Sequence, residues 1–329
     1  MYRGTLEREV VVDMYEKIVI SIAILLGVIL IAVLLRSVGL IKEEQGKLFA
    51  DLVTHVTLPA LVFSSLSHAI IYLEYALLAL LMVAAELISL ILAWAVGKRL
   101  HLENAQMGAF MLTSAFGSSS FLGYALISQV FPGNIDTMTE AVIISEVGLV
   151  PVLFTVGTMV AIYYGRTDLD NRGRLLATTS FFKSPLFFSL VAGVLWSTLK
   201  LPVEGTLITP IFNFLEVLST ANTFLVAMTV GVLLHFSGMR EIVWVILFAV
   251  LIKLILKPLM VWVPTLAMDL QDWPMQVLVL EAAMPSALLT VVFAKTYGCD
   301  AKLASKLIFA TLVASSITVI TMFGVLAGG

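Results

Sequence analysis

The sequence predicts an all-α membrane protein with ten transmembrane helices. Of its 329 residues, 60% are hydrophobic and only 12% are charged, whereas soluble domains carry roughly 25% charged residues. The mean hydropathy is +1.06. A water-soluble enzyme is excluded, because so apolar a chain lacks the polar groups to cover a hydrated surface. The net charge of −3 offers no basic footprint, so we expect no nucleic-acid partner.

Ten apolar stretches are long enough to cross a bilayer, which takes about 20 residues per helix. They lie at residues 17–39, 46–67, 74–97, 104–131, 138–164, 179–199, 210–236, 241–268, 273–297 and 302–327. Residues 1–16 form a short lead, and residues 165–178 form a polar linker. The chain therefore divides into a first five-helix repeat over 17–164 and a second over 179–327.

The distribution of positive charge predicts the orientation in the cell membrane. The loops after the odd-numbered stretches carry many basic residues, among them Arg36, Lys98, Arg166 and Lys302. The loops after the second, fourth and eighth stretches carry none, and the loop after the sixth has only Lys200. We therefore expect a cytoplasmic linker and both termini, with the N-terminal lead, outside the cell.

The two five-helix units match each other in register. DLVTHVTLPALVF, from Asp51, aligns with EVLSTANTFLVAM, from Glu216, at an offset of 165 residues. GSSSFLG, from Gly117, aligns with MPSALLT, from Met284, at an offset of 167 residues. Because each unit has an odd number of helices, the second enters the membrane from the opposite side. The sequence therefore predicts a 5+5 inverted repeat, an arrangement found in many secondary transporters.

The fourth and ninth stretches contain helix-breaking residues at matching positions. Ser118, Ser119 and Ser120 form a run in the fourth, and Pro285 and Ser286 lie at the equivalent place in the ninth. Proline removes an N–H and clashes with an earlier carbonyl, while serines compete with helical hydrogen bonds. A broken helix exposes amide groups with partial positive charge, which favour an anion. We expect these five residues to bind a small organic anion where the two breaks cross.

Ionisable residues inside the stretches are candidates for coupling, because each costs roughly 2.5–3.5 kcal/mol at the bilayer centre. Glu281 lies one turn before the break in the ninth stretch, and Glu146 lies within the fifth. Each can carry a coupling proton or contribute to a Na⁺ site, or can be a structural hydrogen-bonding acid. Lys253 and Lys257 share a face of the eighth stretch. They can attract the anion, although pairing with a buried acid such as Glu281 or Glu216 is the favoured interpretation.

Two further polar residues lie in the paired second and seventh stretches. The Asn222 amide can donate to a carboxylate, and His55 is of the type that changes charge near neutral pH. Both are predicted to contribute to substrate binding, with packing as the alternative. The sequence has no metal-ligand spacing and no nucleotide-binding motif. We therefore expect no metal or cofactor other than a coupling H⁺ or Na⁺.

Three segments carry a family resemblance. HVTLPALVF (55–63), GSSSFLGYAL (117–126) and EAAMPSALLTVVFAKTYG (281–298) resemble the auxin efflux carrier family, which includes plant PIN carriers and bacterial carboxylate permeases. The resemblance implies ten helices in a 5+5 inverted repeat with crossing, broken helices 4 and 9, as in the bile acid sodium symporter-like fold. It also implies outside termini, carrier-type transport of an auxin-like carboxylate or a dicarboxylate, and a homodimer.

The chain departs from that family at three positions. Ser118 stands where the family usually has Asn, and Ala125 and Phe224 each stand where it usually has Pro. Substrate identity therefore does not follow from the resemblance. The leading hypothesis is a secondary carrier that moves a small organic anion by alternating access, not an enzyme. The alternatives are a sodium-coupled organic anion symporter of the bile-acid type and a non-transporting sensor on the same fold.

Overall fold

A computed structural model describes residues 20, 23–24, 26–68, 76–131, 134–166, 168–268 and 273–328. Within these ranges the chain is helical and contains no strand. The helices are α1 (Leu26–Ser37), α2 (Gln45–His68), α3 (Ala76–Arg99), α4 (Asn104–Ala115), α5 (Tyr124–Val130), α6 (Asp136–Gly165), α7 (Asn171–Lys183), α8 (Pro185–Thr198), α9 (Thr209–Leu233), α10 (Val243–Ala267), α11 (Trp273–Ala283), α12 (Leu289–Tyr297) and α13 (Ala301–Gly328).

Several helices are suited to a bilayer. Within the described ranges, α2, α3, α6, α9, α10 and α13 are each long and apolar enough to span it. The pair α7 and α8 adds a seventh span if it crosses as one bent unit. Large apolar side chains such as Leu80, Trp244 and Ile317 are exposed on outer faces. The protein is thus a multi-pass membrane protein, while the ten-span count and the 5+5 inverted repeat stay predictions at this point.

The predicted linker is partly helical. The first residues of α7 fall inside 165–178, and Asp170 caps this helix by accepting a hydrogen bond from the Gly173 amide. The chain then bends by 52° between α7 and α8. Ser184 caps α8 and Pro185 occupies its first position, a combination that starts a new helix. The lead over 1–16 lies outside the described residues.

The most enclosed helices are the two that precede the predicted breaks. Residues 107–115 of α4 are all buried, as are residues 277–283 of α11. A helix that is apolar and buried on every side lies inside a bundle and away from lipid. These two helices therefore form the centre of the protein.

Five π-type turns interrupt the regular helical winding of the described chain. They lie at Val53–Thr57, Ser119–Gly123, Ile144–Leu149, Leu153–Gly157 and Leu251–Leu256. Such turns change the direction of the side chains that follow and are frequent at functional sites. Four of them contain a buried polar residue that the sequence places inside the membrane, namely Thr57, Ser119, Glu146 and Lys253.

A glycine allows α1 and α9 to approach closely. A Cβ added at Gly231 would overlap the Ile29 carbonyl and come within 2.6 Å of the Ala32 Cβ. We expect Gly231→Ala to destabilise the protein by about 1–3 kcal/mol through overpacking. Gly27→Ala is the matched control, because nothing lies within 4 Å of a Cβ there. Thermal melting in detergent checks this, and equal melting temperatures for both variants would contradict the close packing.

Candidate functional site

Two helix breaks meet at the centre of the protein. The Ser118 amide donates to the Pro285 carbonyl at 2.8 Å, and the Ala287 amide donates to the Phe116 carbonyl at 2.9 Å. The two segments thus form a short antiparallel backbone pair. This pairing satisfies groups that an interrupted helix would otherwise leave without partners in a membrane. Both interruptions occur where the sequence predicted them, and they lie side by side.

Pro285 and Ser286 hold this crossing together. The Ser286 hydroxyl donates to the Thr113 carbonyl at 2.6 Å and accepts from the Thr311 hydroxyl at 2.9 Å. Its proton is therefore used within the protein, and Pro285 contributes a carbonyl acceptor. Neither residue lines the cavity described next.

A cavity of about 100 Å³ lies against the paired breaks. Its polar wall includes Ser118, Ser119, Glu146 and Asn222, and apolar residues of α2, α6 and α9 complete it. Since one ordered water needs roughly 10–15 Å³ of such volume, the space holds several waters or a small carboxylate. The start of α12 also faces the cavity through Leu288 and Leu289. A helix N-terminus at this place carries partial positive charge.

The Asn222 amide has a fixed orientation. Its Oδ1 accepts a hydrogen bond from the buried Thr57 hydroxyl at 2.9 Å. With its oxygen engaged, the side chain presents its NH₂ group as a donor to the cavity. Thr57 was missed by sequence reasoning, although it aligns with Asn222 at the repeat offset of 165 residues.

Among the described residues, a serine links Glu281 to the cavity. The Ser119 hydroxyl donates to the Glu281 carboxylate, and Ser119 itself lines the cavity. Gly123 leaves room for that carboxylate, since a Cβ at this residue would come within 2.5 Å of both its oxygens. Glu281 is fully buried, and within the described residues its Oε1 has no hydrogen-bond partner.

Glu146 is held in the cavity wall by the start of α5. The Tyr124 hydroxyl donates to its Oε1 at 2.9 Å, and the π turn Ile144–Leu149 carries the carboxylate. A second acid of the same helix, Glu140, was missed. It is fully buried, and neither of its carboxylate oxygens has a partner among the described residues. Glu140 lies near the predicted start of the fifth stretch, where an acid is expected to contact water, so its position gave no signal of burial.

The two buried lysines of α10 contact the ends of the broken helices. Lys253 Nζ donates to the Ala282 carbonyl in the last turn of α11 at 2.9 Å. Lys257 Nζ donates to the Ala115 carbonyl, the last residue of α4, also at 2.9 Å. Lys257 in addition forms an ion pair with the buried Glu86.

Pairing with a buried acid is confirmed for Lys257, but its partner is neither Glu281 nor Glu216. Lys257 pairs with Glu86 of α3, and Lys253 bonds a carbonyl. Glu216 is exposed on α9 and contacts neither lysine within the described structure. The physical reason is geometric, because α10 packs between α3 and the two helix ends.

His55 is not brought to the cavity by the described structure. His55 is exposed, and its Nδ1 lies 2.9 Å from the Asp51 carbonyl one turn earlier. The side chain of Ser120 lies outside the described part of the structure. Among described residues, no group of three or more His, Cys, Asp or Glu side chains is placed to hold a metal ion.

Polar contacts also join the ends of helices on the side of the basic loops. Thr54 and Thr296 bring their hydroxyl oxygens to 3.2 Å, linking α2 to α12. Glu43 bonds Lys302 at 2.8 Å and His235 at 3.0 Å. The hydrogen bond from Lys302, with a smaller contribution from His235, holds the pKa of Glu43 below its usual range. These contacts lie beyond the cavity along α2, toward its first residue.

Two interrupted helices that meet beside a polar cavity, inside a bundle of apolar spans, define a membrane transport protein. The sequence model of the membrane transport protein family matches residues 17–323. The chain belongs to this family, and the resemblance to auxin efflux carriers is confirmed.

Its relatives carry transporter names. An uncharacterized transporter of Methanocaldococcus jannaschii is 26% identical, over 92% of this chain and 96% of its own length. An uncharacterized transporter of Methanothermobacter thermautotrophicus is 25% identical, over 91% of this chain and 94% of its own length. The uncharacterized transporter YfdV of Escherichia coli is 24% identical, over 78% of this chain and 81% of its own length.

The buried ion pair gives a stability prediction. We expect Lys257→Met to destabilise the protein by about 3–5 kcal/mol, because it leaves the Glu86 carboxylate buried without its partner. The double variant Glu86→Gln with Lys257→Met should recover part of that loss. Thermal melting of the single and double variants checks this, and a double variant less stable than Lys257→Met would refute the pairing.

Proposed function

We propose that the protein is a secondary carrier that moves a small organic anion across the cell membrane by alternating access. The observation that carries the proposal is the cavity beside the paired breaks. Its wall combines the Ser118 and Ser119 hydroxyls, the NH₂ group of Asn222 and the start of α12. Hydroxyl and amide donors at a helix N-terminus suit a carboxylate. The apolar remainder of the wall suits a carbon skeleton.

Two contacts support the 5+5 inverted repeat of ten spans. Thr57 bonds Asn222, and Ser118 bonds Pro285. In each pair the partners are equivalent residues of the two aligned units, at the offsets of 165 and 167 found in the sequence. A residue can touch its own equivalent only near the axis that relates the two units. Both contacts therefore support an axis that passes through the proposed binding site, as in inverted-repeat transporters.

The acids beside the site favour H⁺ as the coupling ion. Glu146 lines the cavity, and Glu281 stands behind Ser119. Two carboxylates next to a bound anion would repel it unless they carry protons. We propose that protonation of Glu281 and Glu146 accompanies binding of the anion. Glu146 faces the cavity directly, and the Ser119 hydroxyl links Glu281 to it.

Alternating access is supported by an asymmetry along α2. The cavity contacts this helix at Leu61, Val62 and Ser65, whereas Thr54 lies closer to its start and contacts Thr296. On the orientation given by the basic loops, the contacts of Thr54 and Glu43 close the cytoplasmic side. Both termini then lie outside the cell. From the family resemblance we also propose that the protein is a homodimer.

Transport measured in proteoliposomes tests the proposal. We expect saturable uptake of labelled succinate or indole-3-acetate, reduced at least about tenfold in Ser119→Ala and Asn222→Ala. Asn222→Ala removes an NH₂ donor to the carboxylate, and Ser119→Ala removes the hydroxyl that links Glu281 to the cavity. Ser316→Ala is the matched control, since this exposed hydroxyl bonds its own helix on α13. Saturable binding without flux under any gradient would favour the sensor. Neither binding nor flux across a panel of mono- and dicarboxylates would overturn the proposal.

A cross-link tests the alternating-access step. With Cys299 replaced by serine, cysteines at Thr54 and Thr296 are close enough to form a disulfide, since their hydroxyl oxygens are 3.2 Å apart and an S–S bond is about 2 Å long. We expect oxidation to block uptake and reduction to restore it, because the bond holds one side closed. Each single cysteine variant serves as control. Full uptake by the oxidised, cross-linked protein would contradict the mechanism.

A further inference from the structure

The outward face of α7 is apolar along its middle and basic near both ends. Leu175 and Leu176 are 64% and 61% exposed, and Phe182 is also exposed. Arg172 and Lys183 are exposed near the first and last residues of the same helix. Arg172, Leu175 and Leu176 have the spacing of one helix face, and residues 171–183 contain no acid. The exposed side of α7 is therefore amphipathic, and the described structure leaves its leucines uncovered.

The opposite face of α7 packs against the protein. Phe181 is buried, and the Arg174 Nε donates to the Leu169 carbonyl at 2.9 Å. Residues 171–178 contact Thr158–Gly165, the last two turns of α6. The helix α7 therefore lies beside the end of a membrane-spanning helix and not beyond it. On the spans that the sequence predicts, this is the depth at which the bilayer meets water.

The helix that follows α7 faces lipid and is too short to cross the bilayer alone. Phe188 and Leu195 of α8 are more than half exposed. The 14 residues of α8 extend about 21 Å at 1.5 Å per residue, whereas the hydrocarbon core is roughly 30 Å thick. Only together do α7 and α8 reach the length of a span, with a bend of 52° between them. The end of α7 therefore lies among acyl chains, and its start runs obliquely at the bilayer surface.

We propose that the outward face of α7 binds anionic phospholipids of the cytoplasmic leaflet. Leu175, Leu176 and Phe182 insert between acyl chains, and Arg172 and Lys183 contact headgroup phosphates. Apolar residues combined with basic ones are typical of helices that lie in a bilayer surface, and the long basic side chains extend to the headgroups. Anionic lipids are concentrated in the cytoplasmic leaflet. This site depends on the orientation that the basic loops predict, but not on what the protein transports.

A second copy of the chain fits this face less well than lipid does. Around a two-fold axis, the same surface of each copy would meet its equivalent. Arg172 and Lys183 of one copy would then face the same two cations of the other, and α7 has no acid to pair with them. Phosphate groups neutralise these cations, so charge favours the lipid.

Lipid-dependent stabilisation tests the contacts to the headgroups. The melting temperature of the detergent-solubilised, full-length protein is measured during titration with phosphatidylglycerol or with phosphatidylcholine of the same acyl chains. We expect the apparent affinity to be at least about twentyfold higher for phosphatidylglycerol, and Arg172→Gln and Lys183→Gln each to reduce this preference about fivefold. Lys200→Gln is the matched control, because this residue lies in a loop predicted to face outside, and it should retain the preference.

A fluorescent label tests the contacts to the acyl chains. With Cys299 replaced by serine, Leu176→Cys is labelled with nitrobenzoxadiazole, and the protein is placed in nanodiscs that contain phosphatidylglycerol. We expect quenching by lipids that carry a nitroxide near the headgroup end of the acyl chain, and protection from iodide in the water. Asp168→Cys is the matched control, since this exposed linker residue precedes α7, and iodide should quench its label.

Several outcomes would overturn the proposal. Equal affinity for the two lipids, or an equal loss of preference in Lys200→Gln, would show that Arg172 and Lys183 do not recognise the headgroup. Equal stabilisation by glycerol phosphate would show that the apolar face is not used. A label at residue 176 that is protected from both quenchers would show that protein covers the face. The label retains both cations, so it tests the site even if a glutamine variant fails to fold. Lipid binding without uptake of any carboxylate would contradict the carrier proposal alone.

Discussion

The lipid interior tolerates no backbone amide or carbonyl without a partner, and the centre of this protein is arranged around that constraint. The segments that follow α4 and α11 leave their helices side by side. The Pro285 carbonyl then accepts from the Ser118 amide, and the Phe116 carbonyl accepts from the Ala287 amide. The Ser286 hydroxyl also donates to the Thr113 carbonyl. An isolated break would be costly, but two breaks that pair with each other form a stable crossing.

The same pairing determines the electrostatics of the site. Once two helices are interrupted at one place, their negative C-terminal ends and the positive ends of the helices that follow lie close together. Lys253 and Lys257 occupy the negative ends. The start of α12 and the turn at Ser119 face the cavity. The preference for an anion that we propose thus follows from how the helix ends are distributed, and the polar side chains add hydrogen-bonding groups to it.

The sequence predicted those features that depend on local chemistry. The serine run and Pro285 located both breaks, and Asn222 and Glu146 were placed at the site from residue type and position. Contacts between distant parts of the chain were not predictable in the same way. Lys257 pairs with Glu86, which lies 171 residues away in the sequence. Lys253 bonds a backbone carbonyl, a partner that has no sequence signature. In α2, Thr57 is buried and His55 is exposed. Residues two apart do not share a helix face, and residue type alone had selected His55.

On the proposed repeat, the residues nearest the axis are equivalent in position but different in chemistry. Thr57 has a hydroxyl at the position where Asn222 has an amide, and this hydroxyl donates to the amide oxygen and orients the amide. Ser118 likewise offers an amide N–H to the carbonyl of Pro285, which has no N–H to return. A symmetric arrangement of helices therefore produces an asymmetric set of donors. On the proposed function, this asymmetry would let a single anion bind in one orientation on the axis. Rocking of the surrounding helices would then change the access of the anion to either side while its direct contacts are retained.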